Sequence, residues 1–479
     1  MNSVRPALKY TALIFVTVAA FVIYLNSDDP RIEALTHFIS KNIWSVTEIT
    51  AIAGDLPETT TITPQPLENL TEPPPSSPPL NSPTAALEDY KMTDLIDKIP
   101  IEYTDQVFSA EDIANDKLNL VSQDFKVPEG LKKRVDFWLK IYTKYTSHFS
   151  LIHDAREPWI IYKVLDLRPI YESQANRFVK AANDHTLIIK SRRQIRSQLL
   201  NLAHKKSFTN LSPEEYDLYK LLEGKKGSRR HVFLEAAKNV RLQRGQKDFF
   251  RNGVVSISRY VNQMEDIFAQ SDLPVELVRL PLVESSFNLE ATSKVGASGV
   301  WQFMRNMGKK YLKVSSSVDE RNSPIKATEA AAKLMLANFR VTHSWPLAIT
   351  AYNHGAGGVE KACRKIHTTS IADLVNNYHS RTFSFASQNF YSEFLAALYG
   401  EKYQDKIFGV MPKYPPLQSE EIGLKHSIRA KKLVQLVGMT IEELKLYNPD
   451  LKSQAIAGST FLPVGYHVRL PVGRKAPNI

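Results

Sequence analysis

One carboxylate stands out in the chain because it sits in an otherwise apolar stretch. Glu284 directly follows the apolar run at 280–283 in RLPLVESSFN. The spacing predicts a helix over 273–287, kinked near its end by Pro281, with Glu284 at the C-terminal end of an apolar stripe. Desolvation and the negative end of the helix dipole both raise the pKa of such a carboxyl group, as a general acid near neutral pH requires. The alternative is that Glu284 only marks the point where the helix meets water.

The residues that follow Glu284 favour a ligand site over that alternative. In SKVGASGVWQFM, at 293–304, two glycines let the backbone approach a ligand closely. A helix is predicted to resume at Trp301, whose ring can stack or pack, and Gln302 can hydrogen-bond an amide or a hydroxyl group. Each of these residues is more often structural when taken singly, but the combination indicates a saccharide cleft.

Metal and nucleotide chemistry find no support in the sequence. The twelve histidines are scattered and Cys363 is the single cysteine, so no zinc-binding spacing is present. No glycine-rich phosphate-binding loop of the P-loop or Rossmann type occurs. We therefore expect no metal ion and no cofactor. The net charge of +11 indicates affinity for anions, without choosing among nucleic acid, a membrane and an anionic polymer.

Residues 1–30 have the pattern of a membrane anchor. An apolar run at 10–25 follows two basic residues, which predicts a cytoplasmic N-terminus, with the remainder of the chain in the periplasm as part of the cell envelope. A cleaved signal peptide, which would release the protein, is the alternative. Export keeps nucleic acid out of reach as a partner. Residues 31–54 are a connecting segment of uncertain structure, and the Pro-, Thr- and Ser-rich residues 55–85 predict an extended linker.

The remaining chain is predicted to be mainly α-helical. Apolar residues recur at spacings of three and four over 86–245 and again over 246–408, which we interpret as a helical N-terminal region and a helical domain around Glu284. Residues 420–473 show a different pattern, with a first strand at 424–428, two short helices and a closing strand in YHVRLPV. That order predicts a small β-α-α-β module.

Several stretches, taken in order, resemble one enzyme family. The family is that of lytic murein transglycosylases with a goose-lysozyme-like (SLT) catalytic domain, and its successive signatures are similar to PVELVRLPLVESSFNLEATSKVGASGVWQFM, DERNSPIKATEAAAKLM, WPLAITAYNHGAGGV and SRTFSFASQNFYSEFLAAL. The chain most resembles the membrane-bound D type, which carries lysin motifs after the catalytic domain. The second half of the module at 420–473 resembles a lysin motif, whereas its first half lacks the usual Gly-Asp-Thr.

The resemblance implies a lysozyme-like catalytic domain that binds peptidoglycan glycan strands and cleaves the β-1,4 bond between N-acetylmuramic acid and N-acetylglucosamine, for cell-wall remodelling. Glu284 would be the single catalytic acid and base. The residues implied to contact the substrate or to shape its cleft are Ser293, Gln302, Met304, Tyr352, Asn353 and, as a second tyrosine near the cleft, Tyr391. Asp319 and Glu320 resemble a structural signature and receive no catalytic role.

One carboxylate in this family replaces the two that most glycosidases use. The resemblance implies that the acid protonates the glycosidic oxygen and that the N-acetyl group of the substrate stabilises the anomeric centre. The carboxylate then activates the C6 hydroxyl group, which gives a 1,6-anhydro end without water. Two alternatives stay open: a lysozyme-type muramidase that uses water on the same bond, and a non-catalytic peptidoglycan-binding scaffold.

Overall fold

The computed structural model describes residues 109–474, and the elements named below belong to that part of the chain. The predicted anchor or signal segment (1–30), the connecting segment (31–54), the linker (55–85) and the first part of the predicted helical region (86–108) lie outside the described residues and stay predictions. Within residues 109–474, no helix combines the length and the apolar character needed to cross a membrane.

The first part of the described chain combines helices with a small sheet. The helices are α1 (Ala110–Ala114), α2 (Lys132–Thr143), α3 (Arg168–Glu172), α4 (Arg177–His204), α5 (Pro213–Leu222) and α6 (Arg229–Lys238), with 3-10 turns at Gln123–Phe125 and Glu129–Leu131. The strands are β1 (Phe149–Asp154), β2 (Ile161–Asp166) and β3 (Val240–Arg244). They pair antiparallel in the order β2-β1-β3, so β1 is the central strand.

The prediction that residues 86–245 are helical is therefore wrong for these three strands. In β1, Leu151 packs into the core around α2, whereas Ile152 packs on the opposite face against α4, α5 and α6. A strand that is buried on both faces lacks the polar-apolar alternation that marks a strand with one exposed face. Its short apolar run fits a helix equally well from sequence alone.

The domain around Glu284 is helical. Its helices are α7 (Lys247–Ile257), α8 (Val261–Ala269), α9 (Leu280–Ser285), α10 (Arg305–Tyr311), α11 (Pro324–Thr342), α12 (Trp345–His354), α13 (Ala356–Ile366), α14 (Ile371–Asn377), α15 (Phe385–Lys402) and α16 (Gln404–Ile407), with 3-10 turns at Val275–Arg279 and Glu320–Asn322. The predicted mainly α fold class is confirmed.

Helix α15 lies in the centre of the largest hydrophobic core and packs against α2, α9 and α12. Val135 and Trp138 of α2 share that core with Phe250 of α7 and Phe394 of α15. The predicted boundary near residue 246 therefore does not separate two cores, because α2 precedes the boundary and packs with the helices that follow it.

The C-terminal module consists of β4 (Ser419–Gly423), α17 (Ala430–Val437), α18 (Ile441–Tyr447), a short α19 (Ser453–Ile456) and β5 (His467–Pro471), and its two strands pair antiparallel. The β-α-α-β order is confirmed, with one extra helical turn. The predicted first strand at 424–428 is wrong. The exposed polar residues 425–427 lead into α17 instead, and only Ile428 forms an isolated bridge, with Leu462.

Candidate active site

Glu284 lies at the C-terminal end of a short helix. The predicted helix over 273–287 is in fact a 3-10 turn followed by α9. Pro281 lies in the first turn of α9 and not in the interior of a helix, where a proline would produce a kink. Proline is well accommodated at that position because the first N–H groups of a helix have no acceptor within the helix. The prediction placed Glu284 correctly at a helix end, but the helix is shorter than predicted.

The end of α9 is fixed by backbone conformation and by close packing. Ser286 and Phe287 have φ values of 50° and 52°, in the left-handed region, which terminates the helix. The Ser285 hydroxyl group donates a hydrogen bond to the carbonyl oxygen of Val300 at 2.9 Å, which ties the helix end to the following loop. A Cβ at Gly253 of α7 would lie 2.5 Å from the backbone oxygen of Ser286, so α7 contacts the helix end directly.

The carboxyl group of Glu284 is partly buried and has no hydrogen bond or ion pair within residues 109–474. Burial raises its pKa from 4.5 to about 8, because the charged form loses the hydration that the surrounding protein does not replace. Glu284 is therefore protonated at neutral pH, and its proton is not committed to another described residue.

Tyr352 of α12 lies beside Glu284. Its hydroxyl group donates a hydrogen bond to the carbonyl oxygen of Trp301 at 2.7 Å. Its ring lies parallel to that of Phe390 on α15, with 6.4 Å between ring centroids. Burial raises the pKa of Tyr352, and the charge of Glu284 raises it further, which shows that the phenol and the carboxyl group share one environment.

The predicted substrate-binding polar residues of the loop hold its backbone. The Gln302 side chain donates hydrogen bonds to the carbonyl oxygens of Gly299, at 2.8 Å, and Ala291, at 3.3 Å. The Ser293 hydroxyl oxygen accepts a hydrogen bond from the backbone N–H of Ala297 at 2.9 Å. These two side chains therefore shape the loop that follows Glu284.

The other predicted residues differ in exposure. Met304 is 46% exposed and immediately precedes α10, where its side chain is available to a ligand. Asn353 is exposed, and its side-chain oxygen accepts a hydrogen bond from the Ser387 hydroxyl group at 2.9 Å. This bond joins the end of α12 to the start of α15.

Two aromatic residues named in the sequence analysis lie in the core. The Trp301 side chain is fully buried and donates a hydrogen bond to the Thr328 hydroxyl group at 2.9 Å, and the next helix begins at Arg305 and not, as predicted, at Trp301. Tyr391 is 1% exposed, and its ring packs against Phe394 instead of facing Glu284. Neither ring is available to a sugar.

Gly299→Ala is expected to destabilise the protein, because the backbone at this glycine cannot accept a side chain. Its φ is +75°, and a Cβ would lie 1.8 Å from the backbone oxygen of Arg321. Arg321 donates hydrogen bonds to the carbonyl oxygens of Gly296 and Phe303 at 2.7 and 3.0 Å, so displacing it disturbs the whole loop. We expect the free energy of unfolding to fall by about 2–4 kcal/mol, from left-handed strain and overpacking together.

Gly296→Ala is the matched control for that measurement. Gly296 also has a positive φ, +87°, but a Cβ there would meet nothing within 4 Å. The control should therefore lose only the strain contribution, about 1–2 kcal/mol. Chemical denaturation of both variants compares the two losses, and equal losses would contradict the close contact at Gly299.

Sequence reasoning missed three residues that the structure brings to the same place. Glu393 of α15 is partly buried, and burial, with a smaller contribution from the charge of Glu284, raises its pKa to about 8. Burial also raises the pKa of Tyr142 on α2, and the charges of both glutamates raise it further, whereas Arg241 of β3 lowers the pKa of Glu393. The signal for Glu393 is present in NFYSEFLAAL, where one carboxylate interrupts an apolar helix just as Glu284 does.

The described residues contain no metal-binding cluster, and they contain a cavity away from Glu284. Within residues 109–474, no group of three or more His, Cys, Asp and Glu side chains is arranged to hold a metal ion. A cavity of about 430 Å³ lies outside the Glu284 environment, between the loop at Glu290 and Thr292 and the C-terminal module at Lys445 and Pro449.

Comparisons with known proteins match the same part of the chain. Residues 265–375 match the family model of the transglycosylase SLT domain. The chain is 27% identical over 217 residues to membrane-bound lytic murein transglycosylase D of Escherichia coli (strain K12), covering 44% of this chain and 47% of that relative. It is 41% identical over 98 residues to a protein of Alteromonas sp. (strain M-1) described as a tributyltin chloride resistance protein, covering 20% of this chain and 47% of that relative.

The match thus spans just under half of the length of each relative. The residues that match the transglycosylase SLT model include Glu284 and Tyr352. Glu393, Tyr142 and Arg241 lie outside the residues that the family model matches.

Proposed function

We propose that this protein is a peptidoglycan lytic transglycosylase, which cleaves the β-1,4 bond between N-acetylmuramic acid and N-acetylglucosamine and leaves 1,6-anhydro-N-acetylmuramic acid ends. The observation that carries the proposal is the Glu284 carboxyl group. It is partly buried, it lacks a hydrogen-bond partner within residues 109–474, and burial raises its pKa to about 8. The SLT match includes Glu284, and the Escherichia coli relative is named for this activity.

The chemistry follows from the protonation state of Glu284. A carboxyl group with a pKa of about 8 keeps its proton at neutral pH and donates it to the glycosidic oxygen as the bond from C1 to that oxygen breaks. The resulting carboxylate takes the proton of the C6 hydroxyl group as O6 bonds to C1. The departing sugar keeps the first proton, Glu284 recovers the second, and no water is consumed.

The neighbouring residues receive supporting roles in this proposal. Tyr352 lies beside the acid, and its hydrogen bond to the Trp301 carbonyl group fixes the orientation of the phenol at the scissile bond. Met304 offers exposed apolar surface to a sugar ring. Ser293 and Gln302 keep the loop backbone in place, so that substitution of either should act through the shape of the cleft.

A muramidase that hydrolyses the same bond is the second candidate, and Glu393 is the observation that favours it. Glycosidases that use water employ two carboxyl groups, and Glu393 shares the environment of Glu284. Mass spectrometry of purified sacculi digested with the full chain separates the candidates. Muropeptides with 1,6-anhydro ends support the lytic transglycosylase. Products with reducing ends alone would identify a muramidase, and the absence of soluble products would leave a peptidoglycan-binding scaffold.

The location and the C-terminal module complete the proposal. An apolar run near the N-terminus supports attachment to the inner membrane through residues 1–30, and the Escherichia coli relative is named as membrane-bound. The catalytic part then acts from the periplasm on the glycan strands of the cell wall. The β-α-α-β order of the C-terminal module supports a lysin-motif-like role in binding those strands.

A further inference from the structure

The segment that follows Glu284 is basic throughout. Residues 291–318 contain no acidic residue and five basic ones, which are Lys294, Arg305, Lys309, Lys310 and Lys313. The side chains of Lys294, Arg305 and Lys309 are exposed. Within residues 109–474 these three side chains form no hydrogen bond and no ion pair. The segment therefore carries three positive charges that have no acidic partner in the described part of the chain.

Lys294 and Val295 lie at the tip of a tight turn. The backbone N–H of Gly296 donates a hydrogen bond to the carbonyl oxygen of Ser293 at 3.0 Å, so Lys294 and Val295 are the two central residues of a β-turn. The base of the turn is held by the hydrogen bond from the backbone N–H of Ala297 to the Ser293 hydroxyl oxygen. Val295 is 75% exposed. The turn thus presents one cation and one apolar side chain to solvent.

Arg321 brings this turn next to the start of α10. One nitrogen of its guanidinium group donates hydrogen bonds to the carbonyl oxygens of both Gly296 and Phe303, at 2.7 and 3.0 Å. Two oxygens that accept from one nitrogen lie close together, so the backbone segments that carry them are neighbours. The residues directly after Phe303 are Met304 and Arg305, and both are exposed. The tip of the turn and the start of α10 therefore form one continuous surface.

This surface combines charge with exposed apolar side chains. Met304 is 46% exposed, and Met307, which lies one turn later on α10, is 39% exposed. Exposed methionines are suited to binding, because their flexible side chains adapt to ligands of different shape. The surface, which we call the basic rim, consists of Lys294, Val295, Met304, Arg305 and Met307.

The basic rim borders the Glu284 site. The Ser285 hydroxyl group bonds the carbonyl oxygen of Val300, and the Tyr352 hydroxyl group bonds that of Trp301. Both bonds hold the loop that joins the two parts of the rim. The rim is thus fixed relative to Glu284, and it is placed to contact a part of the same substrate that extends beyond the scissile bond.

The chemistry of the basic rim fits an anionic ligand that also carries small apolar groups. Cations without an acidic partner attract carboxylates, and the exposed valine and methionines offer apolar contact. The glycan chain of the proposed substrate consists of N-acetylated sugars and is uncharged along its backbone. Its carboxylates lie on the short alanine-containing peptides attached to the lactyl groups of N-acetylmuramic acid. These peptides match both the charge and the apolar surface of the rim.

We propose that the basic rim is a specificity site for the acidic peptides of peptidoglycan, in which Lys294 and Arg305 bind peptide carboxylates and Val295 and Met307 contact methyl groups. The site rests on the proposed function and deepens it, because it names the form of substrate that the protein selects. Strands that carry their peptides are preferred to strands from which the peptides have been removed.

Cleavage of two substrates by the full chain tests the proposal. Glycan strands with their peptides, and the same strands stripped of peptides by an amidase, are compared through the kcat/KM for release of 1,6-anhydro products. Wild type should favour the strands that carry peptides. In the double variant Lys294→Gln, Arg305→Gln, the ratio of the two kcat/KM values should fall by about tenfold, because an exposed charge contact contributes up to about fivefold.

The double variant Lys190→Gln, Arg193→Gln is the matched control, since it removes the same two charges elsewhere. Both residues are exposed on α4 and form no ion pair and no hydrogen bond within residues 109–474. Helix α4 packs against α3, α5, α6 and β3, none of which contributes to the basic rim. The control should keep the wild-type ratio. An equal fall in both double variants, or an unchanged ratio in the rim variant, would overturn the proposal.

A binding measurement separates this site from the proposed function. Fluorescence anisotropy of labelled strands is measured with Glu284→Gln, with and without the two rim substitutions, at low and physiological salt. Peptide-bearing strands should bind more tightly than stripped ones, most clearly at low salt, and the rim substitutions should remove this preference. Equal binding of the two strands, or binding of neither, would overturn the peptide site. Wild type that cleaves neither substrate, with the binding preference intact, would overturn only the proposed function.

Discussion

Glu284→Gln is expected to abolish the release of 1,6-anhydromuropeptides from purified sacculi while the protein still folds and binds the sacculus. Glutamine has nearly the shape of glutamic acid but cannot donate the proton that cleaves the glycosidic bond. Nor can it accept the proton of the C6 hydroxyl group. General acid-base catalysis contributes about 10²–10⁴-fold to the rate of a reaction. Because one group provides it in both steps of the proposed reaction, we expect the rate to fall by about 10⁴-fold or more. Mass spectrometry of the soluble fraction measures it.

Glu290→Gln is the matched control for the loss of activity. Glu290 is a nearby exposed residue, and within residues 109–474 its carboxylate forms only a long ion pair, at 3.5 Å, with Lys445 of the C-terminal module. Surface ion pairs of this kind contribute about 0–1 kcal/mol, so the control should retain activity. Full activity in Glu284→Gln would show that Glu284 is not the catalytic acid. Equal losses of activity in both variants would show that disturbance of the loop, and not loss of the proton donor, reduces activity.

The same Glu284→Gln substitution should make the protein more stable above neutral pH. The pKa of Glu284 is about 8 in the folded protein compared with an ordinary value of 4.5, so the unfolded chain releases this proton at a lower pH. The folded protein therefore loses stability as the pH rises from about 4.5 to about 8, and glutamine removes that loss. The corresponding gain in the free energy of unfolding is about 3 kcal/mol at pH 7. Denaturation curves at pH 5 and pH 8 check it, because the difference in the free energy of unfolding between Glu284→Gln and wild type should grow with pH.

Sequence reasoning locates Glu284 more readily than Glu393, although both interrupt an apolar helix. The stretch around Glu284 continues into a glycine-containing loop with polar side chains, which signals a ligand site without any tertiary information. Glu393 has no such local context. The surroundings of Glu393 include Tyr142 of α2 and Arg241 of β3. The tertiary fold decides which distant segments pack against α15, so these neighbours cannot be read from the local sequence.

The position of Tyr391 shows a different limit of sequence-based prediction, which concerns the rotation of a helix about its axis. The sequence predicts a helix over this stretch correctly, but a helical face is defined only to within a residue. One residue along an α-helix rotates the side chain by about 100°. Phe390 therefore stacks on Tyr352, and the next residue, Tyr391, is turned into the core beside Phe394. Apolar neighbours on all sides of α15 leave no polar face from which its rotation could be read.

The C-terminal module is also more closely integrated than its sequence suggests. A strand-helix-helix-strand unit after a proline-containing connection predicts a separate module. In the structure, Val318 of the domain around Glu284 is 2% exposed and belongs to the hydrophobic core of the module. The backbone N–H of Asp319 donates to the carbonyl oxygen of Asp450 at 2.8 Å, and the Arg469 side chain donates to the Ser323 hydroxyl group at 2.9 Å.

These contacts reach the loop beside Glu284 through a short chain of charged groups. The Asp319 carboxylate accepts two hydrogen bonds from the Arg321 guanidinium group, at 2.9 and 2.8 Å. The same guanidinium group donates to the carbonyl oxygens of Gly296 and Phe303. Because Asp319 is fixed on one side by the module and on the other by Arg321, docking of the module should stabilise the cleft loop.

Val318→Asp is therefore expected to lower both stability and activity in the full chain. The variant places a charge in the apolar core of the module, so the module must separate or the core must take up water. Loss of valine burial together with desolvation of the carboxylate predicts a fall of about 3–5 kcal/mol in the free energy of unfolding. Activity should fall with it, because Asp319 and Arg321 lose their fixed support, and X-ray scattering in solution should show a larger radius of gyration.

Val410→Asp is the matched control, since Val410 is fully exposed in the segment that precedes the module. An exposed substitution of this kind changes stability by about 0.5 kcal/mol or less. If Val318→Asp behaves like this control in stability and in scattering, the module is a tethered unit and the link from Asp450 to the cleft loop is wrong. If Val318→Asp separates the module but leaves activity unchanged, the loop beside Glu284 keeps its shape through Arg321 alone, and the domain around Glu284 does not depend on the module.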